Sequence, residues 1–307
     1  MGEYREHARA VEWPTMVLAG FCYLAWFGLG FYVYSSIPFL ALILMTFAVA
    51  LHSSLEHEVL HGHPTRHALV NEALVFLPLG LFYPFRRFKV LHLTHHNDER
   101  LTDPYDDPES YYRSAMDWER IPAWLKRVLE VNNTMLGRFF LGPALMSGGF
   151  VWSEIQRMRN WERRVFIAWL LHFLGMAPVY LIVTRLFHMP FWLYVVVPAY
   201  FGLSLITIRT YAEHRWSETP EGRTIIVERS PFSFLFLNNN LHLVHHKSPT
   251  TPWYDLPRLF AERRTEWIAM NEGYIFKGYL DLFRAYGLKR KEDNVHPALR
   301  RAQPRAE

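Results

Sequence analysis

Between Trp13 and Leu55 the chain contains no Asp, Glu, Lys or Arg. That run constrains the fold more than any other feature, because a soluble helix keeps one polar face and this stretch has none. It is long enough for two membrane crossings of about 20 apolar residues each, joined by a tight turn near Tyr34 to Pro38. Two more uncharged runs cover Val165 to Thr184 and Leu186 to Ile208, with Arg185 and His188 marking the turn between them. A mean hydropathy near zero hides this segregation. The expected fold is an all-α integral membrane protein of four transmembrane helices in two hairpins, near residues 14–34, 36–55, 165–184 and 187–208. The segment Ala73 to Phe85 is apolar but too short to cross, and is expected to be re-entrant or interfacial.

Charge orients these helices. The two hairpin turns carry a single Arg, whereas the opposite flanks hold Arg157, Arg159, Arg163, Arg164, Arg209, Arg215 and Arg223. The positive-inside rule makes those flanks cytoplasmic, with both termini inside, as in a multi-pass protein of a bacterial inner membrane. The net charge of +4 suits an anionic membrane surface, and no motif points to nucleic acid. The single Cys22 excludes an internal disulfide or an iron–sulfur centre and is expected to be a small apolar residue. Glu3, Glu6 and Glu12 precede the first apolar run, and no small-residue cleavage site follows, so that run reads as a retained helix. Trp118, Ile121, Trp124, Leu125, Val128 and Leu129 alternate with charges, as in an amphipathic helix on the membrane interface or the cytoplasmic cap. One membrane domain is expected over residues 1–307, ending in a charged, partly disordered tail from about 288, with His296 on the surface.

Two stretches read almost alike: Leu91-His92-Leu93-Thr94-His95-His96 and Leu241-His242-Leu243-Val244-His245-His246. A third, His57-Glu58-Val59-Leu60-His61, adds an i, i+4 pair, and His214 follows the fourth helix. All of them fall at the cytoplasmic ends of the expected helices or in cytoplasmic segments. On a helix, residues three or four apart share a face, whereas neighbours point about 100° apart. A His-x-x-His-His segment can therefore touch two metal ions. Nine imidazoles overfill one coordination sphere and suit two. All-nitrogen ligation disfavours Mg and Ca and lacks the thiolates of many structural zinc sites, so redox-active iron fits better. Acidic neighbours that could orient the imidazoles are Glu56, Glu58, Asp98, Asp103, Asp106, Asp107 and Glu213. His52, His63 and His67 fall off the face of the first pair, and His172 and His188 lie in or beside the membrane helices, where packing roles are expected.

These residues resemble the membrane fatty acid desaturase and hydroxylase superfamily, whose signature is three histidine boxes. Here the boxes are His57 to His61, His92 to His96 and His242 to His246, with His214 in the place of the family's additional histidine. The resemblance implies a cytoplasmic helical cap holding a di-iron site, with His57, His61, His92, His95, His96, His214, His242, His245 and His246 as ligands. It implies no catalytic residue beyond them. Stearoyl-type members have Asn four residues before that additional histidine, whereas this chain has Thr210. The open place would fall to water or to Asn238 or Asn239. The implied chemistry is O2-dependent desaturation of a fatty acyl lipid, with hydroxylation or ketolation of a lipid, carotenoid or alkane as the alternative. His245-His246-Lys247-Ser248-Pro249 and Pro252 to Pro257 are also similar to bacterial carotenoid ketolases. No cytochrome b5 motif is fused to the chain, so a separate ferredoxin or cytochrome b5-type donor with its reductase is implied. A membrane zinc hydrolase or metal transporter is a distant alternative, disfavoured for the transporter because the histidines gather at one face and not at mid-membrane.

Overall fold

The computed structural model describes residues 11–299, apart from the side chain of Asp98. Helix α1, Trp13–Gly28, opens on Pro14, whose missing N–H costs nothing in a first turn. It runs on through a wider π-type turn, Leu29–Val33. Helix α2, Pro38–Leu60, continues beyond the uncharged run and carries His57 and Glu58 as buried residues in its last turns. Short helices α3, Ala68–Leu74, and α4, Phe85–His95, follow. Then come α5, Ala115–Arg120, α6, Ala123–Asn132, and α7, Met135–Arg159. Helix α8, Arg163–Leu181, extends through a π-type turn to Leu186. Helix α9, Phe191–Tyr194, joins α10, Tyr200–Glu213, through a third such turn containing Pro198.

Among the described residues, four helices are long and apolar enough to cross a membrane: Trp13–Val33, Pro38–Leu60, Arg163–Leu186 and Phe191–Glu213. Their outward faces are apolar: Leu24 is 74% exposed and Phe173 is 56% exposed, which suits lipid and not water. The remainder is helical apart from a two-residue parallel pair, β1, Ile226–Val227, with β2, Ile275–Phe276. Helices α11, His242–Lys247, α12, Leu256–Glu262, α13, Arg264–Met270, and α14, Tyr279–Tyr286, pack around it. The chain is thus an all-helical, four-span protein with a cap on one side.

Residues 75–84 re-enter the bundle between α3 and α4. Leu79 and Leu81 join a buried cluster with Trp26, Met45, Val183 and Phe187. Backbone carbonyls carried into an apolar interior need donors. The Tyr194 hydroxyl donates to Leu79 O at 2.9 Å, and His172 Nε2 donates to Leu81 O at 2.8 Å. Two polar side chains inside otherwise apolar spans are accounted for in this way. Close approach is the rule at small residues. A Cβ on Gly202 of α10 would stand 2.6 Å from Val49 Cγ1 of α2.

Three elements differ from the sequence expectation. The amphipathic stretch around Trp118 to Leu129 forms two helices, because Pro122 pushes Ile121 into an extended conformation and ends α5. Helix α7 was not foreseen. It crosses the bundle flank on the capped side, from α10, where Thr207 Oγ1 donates to Arg138 O at 3.2 Å, to α4 and α8. There Arg87 Nε donates to Glu154 Oε2 at 2.8 Å, with both side chains almost fully buried. His296 is buried and not on the surface. Its N–H donates to Arg113 O at 2.9 Å, and its ring packs edge-on against Tyr112.

Candidate metal centre

Four separate pieces of chain deliver the nine histidines to the capped end of the bundle. The last turns of α2 carry His57, with His61 as the capping residue. Helix α4 carries His92 and His95, with His96 closing it. At the end of α10, His214 leaves the helix in an extended conformation held by a bridge to Thr224. Helix α11 carries His242, His245 and His246.

Their ring nitrogens converge in two groups, each with one ligand atom per residue and all such atoms within 4.8 Å of one another. One holds His57, His61, His92, His96 and His245; the other holds His95, His214, His242 and His246. The neighbours His95 and His96 divide between the groups, as do His245 and His246, which follows from the angular step along a helix. His96 and His246 stack across the divide with ring centroids 4.1 Å apart.

The facing atoms are mostly Nε2. His95 faces His214 at 2.9 Å, and His242 faces His214 at 3.1 Å. His92 faces His96 at 3.0 Å, and His245 faces His96 at 3.2 Å. Four Nδ1 atoms turn outward to oriented partners. His92 meets Glu109 at 2.8 Å, His95 meets Asp107 at 2.8 Å, His242 meets Asn239 Oδ1 at 2.9 Å, and His214 lies 3.5 Å from Thr224 Oγ1. An outward Nδ1–H held by an oxygen fixes the tautomer and leaves the Nε2 lone pair pointing inward, which is the arrangement a metal ion uses.

Burial, reinforced by neighbouring imidazoles, pushes His61, His96, His214, His242 and His245 well below the usual histidine range. They are neutral at physiological pH, the form in which an imidazole can bind a metal. His95 departs from the set: burial opposes its charge, yet Glu109 and Asp107 outweigh burial and raise it to about 9. The two carboxylates that hold a proton on His95 would equally favour a cation at its Nε2. Burial likewise opposes the charge on Glu109, but His95 and His92 hold its carboxyl well below the ordinary range.

The donor set fits metal ions. His61 Nε2 is buried without a hydrogen-bond partner, and facing imidazole pairs leave lone pairs that a shared proton cannot all satisfy. Redox-capable first-row metals prefer such nitrogen sites.

The acidic and amide residues singled out in the sequence divide. Asp107 lies on His95 and also accepts from Thr102 N and Glu109 N, so it organises its own loop as well. Asn239 joins both groups, with its Nδ2 3.4 Å from His57 Nε2. Glu213 lies 3.6 Å from His242 Nδ1 and 2.7 Å from Arg209 Nε. Glu58 instead accepts from Trp253 N at 2.9 Å, Asn238 donates to Trp253 O at 2.9 Å, and Asp103 caps its own turn at Tyr105 and Asp106. The Asp98 side chain lies outside the described residues. Thr210 Oγ1 is buried without a partner. Glu109 and Thr224 were missed, as was Lys291, whose ammonium donates to the carbonyls of Tyr211 and His214. Only Glu109 left a trace in the sequence, as the last acid of the stretch Leu101 to Glu109, which also holds Pro104, Asp107 and Pro108.

No curated protein matches the chain. A family profile described as fatty acid desaturase matches residues 34–278, which takes in all three histidine boxes and three of the four spans. The chain belongs to the fatty acid desaturase family.

Proposed function

We propose that the protein is a membrane-bound, O2-dependent di-iron oxidase that desaturates a fatty acyl lipid, working on the cytoplasmic side with electrons from a separate donor. The observation that carries this reading is the division of the nine histidines into two facing groups at the mouth of an apolar bundle. In it His57, His61, His92, His96 and His245 hold one iron, and His95, His214, His242 and His246 hold the other. Two irons so held supply the O2 activation needed to remove hydrogen from an unactivated C–H. The chain's own residues supply the rest. Asp107, Glu109 and Asn239 fix the ring orientations, and the bundle excludes water and receives the chain. The arginine-rich flanks meet an acidic ferredoxin or cytochrome b5-type donor.

One feature favours hydroxylation or ketolation of a more polar lipid as a second reading. A narrow cleft beside α2 is lined by Val49, Leu81, Phe82 and Leu203, but also by Ser53, Glu56 and Tyr83. Ser53 stands one helical turn before His57. A plain acyl chain leaves those polar groups unused.

Mass spectrometry of lipids and pigments from expressing cells, beside a His245→Ala control, separates the readings. Loss of two mass units in acyl chains is the expected result, and a gain of sixteen or fourteen selects the alternative. Equal product from His245→Ala, with iron retained, overturns both.

A further inference from the structure

Outside the histidine site, an exposed apolar surface lies where α6, α7 and α14 meet. Trp124 and Val131 of α6, Phe140 of α7, and Leu280, Phe283 and Leu288 on and after α14 are 41% to 82% exposed. They belong to one region. Leu136 N donates to Gly287 O at 3.1 Å, Lys291 N donates to Asn133 O at 3.0 Å, and Arg290 pairs with Glu130 at 3.3 Å. An exposed apolar area of this kind marks a contact surface.

The depth of this region is fixed by the last span. The Tyr211 hydroxyl donates to Asn133 O at 3.2 Å, and Thr207 Oγ1 donates to Arg138 O at 3.2 Å. The start of α7 therefore lies alongside the final turns of Phe191–Glu213, where that span leaves the hydrocarbon. Phe140, bonded through its carbonyl to the Tyr200 hydroxyl, sits deeper, and Leu288 and Val131 sit at the rim. Exposed Arg127, Arg284, Lys289 and Arg290 lie around the apolar side chains, with Arg284 paired to Asp281 and Arg290 to Glu130.

We propose that α6, the first turns of α7 and α14 form an in-plane contact with the anionic headgroup layer of the leaflet that the four spans already cross. Two observations select lipid over a protein partner: Phe140 packs edge-on against Phe201 of the last span, with ring centroids 6.5 Å apart, so the surface adjoins that span, and its rim is basic. The contact bears on the metal centre, because the segment after α14 carries Lys291 onto the carbonyl of His214. Seating α14 on the bilayer holds that segment in place.

The test is site-directed spin labelling of the full chain in bilayer nanodiscs. Cys22, the one native cysteine, is replaced by Ser, and labels are placed at Leu280→Cys, Leu288→Cys and, as a control, Tyr105→Cys, whose native side chain is 63% exposed in the cap. The expected result is severalfold higher accessibility to O2 relative to a nickel chelate at 280 and 288 than at 105. It should fall when phosphatidylglycerol is replaced by phosphatidylcholine, or in Arg127→Glu/Arg284→Glu. Labels at 280 and 288 as open to the chelate as 105 would overturn the proposal. So would labels closed to both reagents, which would mean that protein covers the surface.

Discussion

His95 and His96 are adjacent in α4, yet they serve different groups: His95 Nε2 faces His214 at 2.9 Å, and His96 Nε2 faces His92 at 3.0 Å and His245 at 3.2 Å. Each group therefore has its own imidazoles, and on the di-iron reading removing one should empty one site. His242→Ala is expected to lower bound iron from two per chain toward one while leaving the five-histidine ion, and His61→Ala to do the converse. Elemental analysis with Mössbauer spectra of the two variants checks this. Identical residual spectra would contradict separate groups.

The carboxylate of Asp107 touches no other imidazole at hydrogen-bond distance, so its effect should fall on the four-histidine group. Asp107→Asn keeps an acceptor for His95 Nδ1 but removes the charge that favours a cation at Nε2. A loss of roughly 10–100-fold in metal affinity at that group is expected. Asp103→Asn, which changes only a turn cap, should leave affinity unchanged. Titration with a metallochromic competitor separates the two.

These two aspartates also show where sequence legibility ends. Spans and histidine boxes follow from local regularities: uninterrupted apolar runs, and a ligand spacing that one helix face enforces. Asp103 and Asp107 look equivalent in the sequence, and only the fold of the loop between Leu101 and Glu109 turns one toward His95. Lys291 reaches His214 through a tertiary contact that no spacing encodes. Helix α7 escaped because Arg138, Glu154, Arg157 and Arg159 spoil a membrane-span signature and Pro143 interrupts an amphipathic one. Its burial against α10 and the Arg87–Glu154 pair compensate for both.

That buried pair makes its own prediction. Glu154 accepts from Arg87 and from Trp169 Nε1 at 3.1 Å, tying α4, α7 and α8 together. Glu154→Ala leaves a buried guanidinium uncompensated and should cost about 3–5 kcal/mol. Arg87→Met/Glu154→Leu should cost less than either single change. Thermal unfolding in one detergent, read for the wild type, Glu154→Ala, Arg87→Met and the double variant, gives the ordering.

His63 provides a pH dependence. Burial opposes its charge, but Glu12 at 2.6 Å and Glu58 at 3.9 Å prevail and raise it above the ordinary histidine value. A raised folded-state value means the contribution is complete below about pH 6.5, the unfolded value. It is lost as pH climbs through the folded value. The wild type should therefore lose thermal stability as pH rises above about 6.5, relative to His63→Gln. Parallel pH profiles would show that the junction of Glu12 with the end of α2 does not depend on this charge.

Gly175 of α8 tests the re-entrant segment. A Cβ there would stand 2.3 Å from Phe76 O and 3.0 Å from Pro78 Cδ, and a backbone oxygen cannot swing aside as a side chain would. Gly175→Ala must displace residues 75–84 or α8, at a cost of about 1–3 kcal/mol typical of overpacking. Displacement would also stretch the His172 bond to Leu81 O. Because Gly80, Leu81 and Phe82 line the cleft beside Ser53 and Glu56, the change should reach the reaction before it reaches the metals. Iron content is expected to stay at the wild-type level while the distribution of products shifts. Measured together on one preparation, a loss of iron with unchanged product ratios would place the segment under the metal centre and not beside the substrate.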